Sequence, residues 1–116
     1  MLLRVDVEER DDHALVIANG EIDAATAHSL QEAVLTALDG GHRRVLLDFT
    51  DVTFIDSTGL GVLVTSHRRA QSLGARFAVV HPTSHTRKLI RVLGLDQVLS
   101  VHDTADEALT AEPQVP

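Results

Sequence analysis

Leu46-Leu47-Asp48-Phe49-Thr50-Asp51-Val52-Thr53-Phe54-Ile55-Asp56-Ser57-Thr58-Gly59-Leu60-Gly61 opens in a buried strand, crosses a short connection and enters a helix. The strand is Val45 to Phe49, an apolar run too short for a helix. The connection is Thr50 to Asp56. From Ser57 to Leu73 the stripe Leu60, Leu63, Val64, His67 and Ala70 recurs at helical spacing, and Gly74 is the stop. A buried strand leading tightly into an amphipathic helix is the repeating unit of a parallel sheet.

On the N-terminal side, Leu3-Arg4-Val5-Asp6-Val7 alternates apolar and polar, the period of a half-exposed edge strand. Glu8 to His13 is a polar turn, and Ala14 to Ala18 is a continuous apolar run that predicts a strand buried on both faces. Their short connection predicts an antiparallel hairpin. Asn19 to Asp23 reads as a turn ending in a helix N-cap. A helix follows from Ala24 to Leu38, with Ala27, Leu30, Val34, Ala37 and Leu38 inward and Asp39-Gly40-Gly41 as its stop.

On the C-terminal side, Ala75 to Val80 is a strand closed by His81-Pro82. Ser84 caps a helix carrying Leu89, Ile90 and Leu93 and ended by Gly94. Gln97 to Val101 reads as a last strand, and Asp103 begins a final helix through Leu109. The class is therefore α/β: a mostly parallel mixed sheet of about five strands with about four helices and right-handed crossovers. The first strand lies antiparallel at the edge. With no repeat and no linker, residues 1–111 form one expected domain, and residues 112–116 a disordered tail.

Composition narrows the function. Hydrophobic residues make up 44% of the 116, enough for one core, and the only aromatic residues are Phe49, Phe54 and Phe77. Without Trp or Tyr the usual stacking platform for bases and sugars is missing. A formal net charge of −7 argues against nucleic acid, and the basic clusters Arg68-Arg69 and Arg87-Lys88 with Arg91 read as solvated helix faces. The absence of cysteine excludes disulfides, thiolate metal sites and cysteine nucleophiles. No apolar run approaches the ~20 residues of a membrane span, and the N-terminus reaches charge too early for a signal peptide, so the expected location is cytoplasmic. The seven histidines are scattered: Pro82 and the Ser84 cap separate His81 from His85, and His67 reads as a partly buried stripe residue. No metal and no cofactor are expected.

Ser57 is the candidate functional residue. It starts a helix after a buried strand, at the carboxyl edge where such sheets meet ligands and partners. The free N–H groups of a first turn and the helix macrodipole favour a negative group there. A phosphate would add about −1.5 to −2 of charge. Gly59 and Gly61 each give up to ~1 kcal/mol of helix propensity relative to Ala, which points to close approach by packing or by a partner. On capping preference alone, Asp56 and Ser57 are both ordinary N-cap residues, and a cap is the commoner role.

Gly20-Glu21-Ile22-Asp23, Val45 to Phe49 and Phe54-Ile55-Asp56-Ser57-Thr58-Gly59-Leu60-Gly61-Val62-Leu63 together resemble the STAS family (sulfate transporter and anti-sigma factor antagonist), in particular the bacterial anti-sigma factor antagonists. Leu89 to Leu95 resembles that family's helix ending in a leucine-glycine turn. The resemblance implies a non-enzymatic partner switch in transcription regulation. The unmodified protein binds an anti-sigma factor that is also a serine kinase, freeing a sigma factor. Phosphorylation at Ser57 ends that binding, and a metal-dependent serine/threonine phosphatase restores it. Thr58 stands where many relatives carry a second serine and is a second candidate acceptor. Asp23 and Asp56 match acidic positions near the site, and the partner-binding set becomes Asp23, Asp56, Ser57, Thr58, Gly59, Leu60 and Gly61.

Other readings also fit these residues. Within the family, the chain reads alternatively as the STAS subunit of a lipid-transport ATPase complex. A domain from an anion transporter fits less well without a membrane segment. Outside the family, Ser57 with Asp96 and His102 follows the chain order of a serine hydrolase, although Ile55 replaces the first glycine of the nucleophile elbow. A nucleotide loop is weaker, because Val64 stands where Gly59-Leu60-Gly61 needs a third glycine. A constitutive scaffold with Ser57 never modified is the last alternative.

Overall fold

The computed structural model describes residues 2–111, and the tail expected at 112–116 lies outside them. Five strands form one sheet in the order β1-β2-β3-β4-β5. They are β1 (Leu3–Glu9), β2 (Ala14–Ile22), β3 (Arg44–Ile55), β4 (Arg76–Val80) and β5 (Ser100–His102). The helices are α1 (Ala27–Asp39), α2 (Ser57–Ser72), α3 (Ser84–Val92) and α4 (Ala105–Thr110). β1 pairs antiparallel with β2, and every other pairing is parallel, as the alternation of strands and helices predicts.

One face of the sheet carries the main core. Val16, Val45, Leu47, Phe49 and Val79 point into it, against Leu30, Val34 and Leu38 of α1 and Leu60 and Leu63 of α2. The other face holds a smaller cluster, in which Leu46, Ala78 and Val80 pack with Leu15, Ala105, Ala108 and Leu109. This division corrects the reading of β2 as buried on both faces. Ala14, Val16 and Ala18 are fully buried, whereas Leu15 and Ile17 on the thinly covered face are half-buried.

The largest correction concerns the strand ends. Asn19–Ile22 and Thr50–Ile55, both expected to be connections, are strand. They pair with one another: Asn19 lies opposite Asp51, Gly20 opposite Val52 and Ile22 opposite Ile55. Two register shifts interrupt that pairing, on either side of Asn19-Gly20. Gly20 carries φ 124°, and a Cβ there would stand 2.2 Å from the Leu2 carbonyl oxygen, so no other residue fits the irregular strand. β4 ends opposite Asp48 while β3 runs on to Ile55. The β2–β3 ribbon therefore stands about 20 Å beyond β4, at ~3.3 Å per residue.

Smaller differences are local. α1 begins at Ala27, because Thr26 and Asp23 close a turn where the helix was expected to start. Thr83, not Ser84, caps α3: its hydroxyl accepts the Thr86 N–H at 3.1 Å. The stretch expected as a strand from Gln97 begins as a 3-10 turn, Leu95–Gln97, entered through Gly94 at φ 71°, so β5 spans only Ser100–His102. Thr104 rather than Asp103 opens the final helix. Val62 and Ser66 join the buried face of α2, and His67 is half-buried, with burial lowering its pKa.

Two positions on α2 test this packing. Gly59 is buried, and a Cβ there would lie 2.6 Å from Ile55 Cγ1 and 2.7 Å from Ile22 Cγ2. Gly59→Ala should cost about 2 kcal/mol in a urea titration despite its better helix propensity, whereas no loss would show that the contact relaxes freely. Ser66 is fully buried, and its hydroxyl has no hydrogen-bond partner among the described residues. Ser66→Ala removes that desolvated group, so it should stabilise the fold by about 1 kcal/mol in the same titration.

Candidate functional site

The protruding ends of β2 and β3 bring the predicted site residues together. Ile22 and Ile55 are parallel partners, so Asp23 and Asp56 leave the sheet side by side. The Asp56 N–H donates to the Ile22 carbonyl at 3.1 Å, tying the two exits. Beyond this point each chain turns, and each turn is held by an aspartate.

Asp56 is the N-cap of α2. Its backbone is extended and its Oδ1 accepts the Gly59 N–H at 3.1 Å. Asp23 Oδ1 accepts the N–H groups of Ala25 and Thr26 at 2.9 and 3.1 Å. The Thr26 hydroxyl locks this turn, accepting from the Asp23 N–H at 3.0 Å and donating to the Glu21 carbonyl at 2.7 Å. Both carboxylates thus have structural duties and are half-buried.

The cap assignment decides how Ser57 is read. Since Asp56 caps the helix, Ser57 is its first residue, exposed and outside the capping interaction. Thr58 beside it is also exposed. Asp56 Oδ1 takes the Gly59 N–H, and Leu60 N–H begins the regular ladder to the Asp56 carbonyl at 3.0 Å. The first-turn N–H groups of Ser57 and Thr58 are left outside both interactions. A negative group on Ser57 would meet these donors and the positive end of the macrodipole, with the Asp56 carboxylate as its repulsive neighbour.

The two glycines do different things. Gly59 serves packing, because its missing side chain lets α2 sit against Ile22 and Ile55. Gly61 is exposed, and a Cβ there would meet nothing within 4 Å. Leu60, expected at the partner surface, is 4% exposed and belongs to the core, so it supports the site from beneath. Gly59 is withdrawn from that surface for the same reason. The accessible set is Ser57, Thr58 and Gly61, with Asp23 and Asp56 at its edge.

Phe54 was missed. It is 41% exposed, an aromatic ring on the protruding end of β3 close to Ser57 in the chain. Placing Thr50–Asp56 in a loop hid it. Val52 and Ile55 are buried with Thr53 and Phe54 exposed between them, because the register shift between Gly20 and Glu21 places one extra residue on β3 and breaks simple alternation. The histidine of the hydrolase reading, by contrast, lies elsewhere. His102 is opposite Val80, which is opposite Asp48, so about 20 Å of β3 separates it from the Ser57 end, at ~3.3 Å per residue. Ser57, Asp96 and His102 do not form a triad.

No helix among the described residues is long and apolar enough to cross a membrane. The STAS domain family model matches residues 4–108. The anti-sigma-F factor antagonist RsfB of Mycobacterium tuberculosis is 34% identical over 109 residues, covering 93% of this chain and 88% of that protein. The anti-sigma-B factor antagonist of Listeria monocytogenes is 30% identical over 110 residues, covering 92% and 95%. The crystal structure of an anti-sigma factor antagonist from Mycobacterium paratuberculosis superposes with a TM-score of 0.84 at 30% identity, covering 94% of this chain and 92% of that one. The serine-bearing turn, the sheet order and these matches across almost the whole chain agree: it belongs to the STAS domain family.

Proposed function

We propose that this chain is a cytoplasmic anti-sigma factor antagonist, without catalytic activity of its own, switched by phosphorylation at Ser57. In the unmodified state it binds an anti-sigma factor that is a serine kinase, and a sigma factor is released. The kinase modifies Ser57 and the complex comes apart. A metal-dependent serine/threonine phosphatase resets the cycle. The observation that carries this reading is the division of labour at the helix start: Asp56 caps α2, and Ser57 is left exposed. The names of its relatives point to the same class of partner.

Phosphate acts here through the surface and not through the fold. The modified side chain sits at a helix N-terminus, where its charge is tolerated by the domain. A docked partner would have to accept that charge and bulk in a desolvated contact, at a cost of several kcal/mol. Phe54 supplies the apolar anchor of the surface, and Gly61 allows a partner to approach the α2 backbone closely.

The expected results are specific. Ser57→Ala should fold, keep binding the kinase and accept no labelled phosphate on incubation with ATP and candidate kinases of the same genome. Ser57→Asp should bind more weakly, although one carboxylate imitates phosphate only in part. Phe54→Ala should keep the fold by circular dichroism and lose at least tenfold in kinase affinity by calorimetry. Labelling of Ser57→Ala at the wild-type rate, or phosphopeptides mapping to another residue alone, would contradict the assignment. Capture of a transport ATPase in place of a kinase would contradict the sigma-pathway reading.

A further inference from the structure

Among the described residues, β1 is an edge strand whose outer side has no neighbour in the sheet. Its pairing with β2 is regular along its whole length, from Leu3 opposite Gly20 to Glu9 opposite Ala14, without a bulge to twist the edge away. The hydrogen bonds at its two ends identify which backbone groups point outward. The Leu2 carbonyl accepts from Glu21 N–H at 3.2 Å, and Arg10 N–H donates to the His13 carbonyl at 2.8 Å. Even-numbered residues therefore bond inward to β2, and alternation leaves the N–H and C=O groups of Leu3, Val5, Val7 and Glu9 on the free edge.

The same odd-numbered side chains floor a groove of about 690 Å³ between β1 and α1, walled by Glu32, Ala33 and Thr36. Val7 is 46% exposed there, and Leu3 and Val5 are half-buried. The opposite face of the strand carries Arg4, Asp6 and Glu8, with Arg4 Nε 3.0 Å from Asp6 within one chain.

We propose that a second copy of this chain occupies this edge, through antiparallel β1–β1 pairing with Val5 on the two-fold axis. Antiparallel pairing of outward-facing odd residues permits only a few registers, and charge selects among them. With Val5 opposite Val5, Leu3 faces Val7 of the second copy and Arg4 faces Asp6, so every opposed charge is matched. Sliding one step toward the N-terminus opposes Arg4 to Arg4. One step toward the C-terminus pairs Arg4 with Glu8 twice but sets Asp6 against Asp6, and the next step opposes Asp6 to Glu8. The Val5 register alone pairs Arg4 with Asp6 and leaves no like charges opposed. Directly opposed like charges destabilise a strand pair and opposite charges support it. The selected register joins Leu3, Val5 and Val7 of both copies into one apolar stripe across the two grooves. An isologous contact of this kind closes as a dimer and does not propagate. With only one strand from each side it belongs among small interfaces, below about 1,200 Å² in total, so the expected affinity is micromolar to millimolar.

Sedimentation equilibrium on the full chain, from low micromolar to millimolar concentration at low salt, tests this directly. Wild type should show a reversible monomer–dimer equilibrium. Asp6→Arg, which opposes arginine to Arg4 twice, should raise the dissociation constant at least tenfold. The double exchange Arg4→Asp with Asp6→Arg should restore the wild-type constant, because each pair is inverted and remains complementary. These changes lie on exposed side chains, and circular dichroism checks that each variant keeps its fold. A wild type that stays monomeric throughout would overturn the proposal. So would dimers that Asp6→Arg leaves unchanged, or that the double exchange fails to restore.

Discussion

The first turn of α2 seats on the ends of β2 and β3 with no side chain at Gly59 between them, and the rest of the site depends on that contact. Ile22 and Ile55 are parallel register partners, and together they fill the space a Cβ would need. With the helix held this close, the Asp56 carboxylate reaches the Gly59 N–H and caps the helix. Ser57 is thereby released from capping and turned outward. A core contact, a cap and an exposed hydroxyl are successive consequences of one missing methyl group.

The same seating separates a change of surface from a change of fold. Asp23 and Thr26 brace the neighbouring strand exit through bonds to backbone groups, and none of these involves Ser57. On the proposed reading, the Ser57 hydroxyl can be modified while the elements beneath keep their partners. Leu60, buried two residues after the exposed pair Ser57-Thr58, anchors the turn to the core. The proposed switch would act on the partner's side of the interface, where a phosphate must be desolvated, rather than through unfolding.

Much of this was readable from the chain, and the exceptions have physical causes. Strands alternating with helices fix the parallel sheet, and the short Glu8–His13 connection forces the first pair to be antiparallel. Asn19–Ile22 and Thr50–Ile55 were misread as turns because Gly, Asn, Asp and Thr cluster there. Thr50–Ile55 is strand because Asn19–Ile22 supplies its backbone partners, and Asn19–Ile22 is held between that segment and β1, pairings between residues apart in sequence. The same pairing sets the exposure of Phe54, through the register shift that precedes it on β3. Leu60 belonged to the helix stripe and to the partner surface in one reading, and burial decides for the stripe. Whether Asp56 or Ser57 caps the helix depends on one residue of backbone geometry, which capping preferences do not resolve.

The most direct test of the central claim compares amide proton–nitrogen spectra of the unmodified chain and the chain phosphorylated at Ser57. Shifts are expected at Ser57 to Leu60 and at the adjoining β2 exit around Ile22 and Asp23. The amides of β4, β5 and α3 should stay in place. Shifts spreading through those distant elements, or loss of dispersion across the spectrum, would mean that phosphate acts by altering the fold, and would contradict the account.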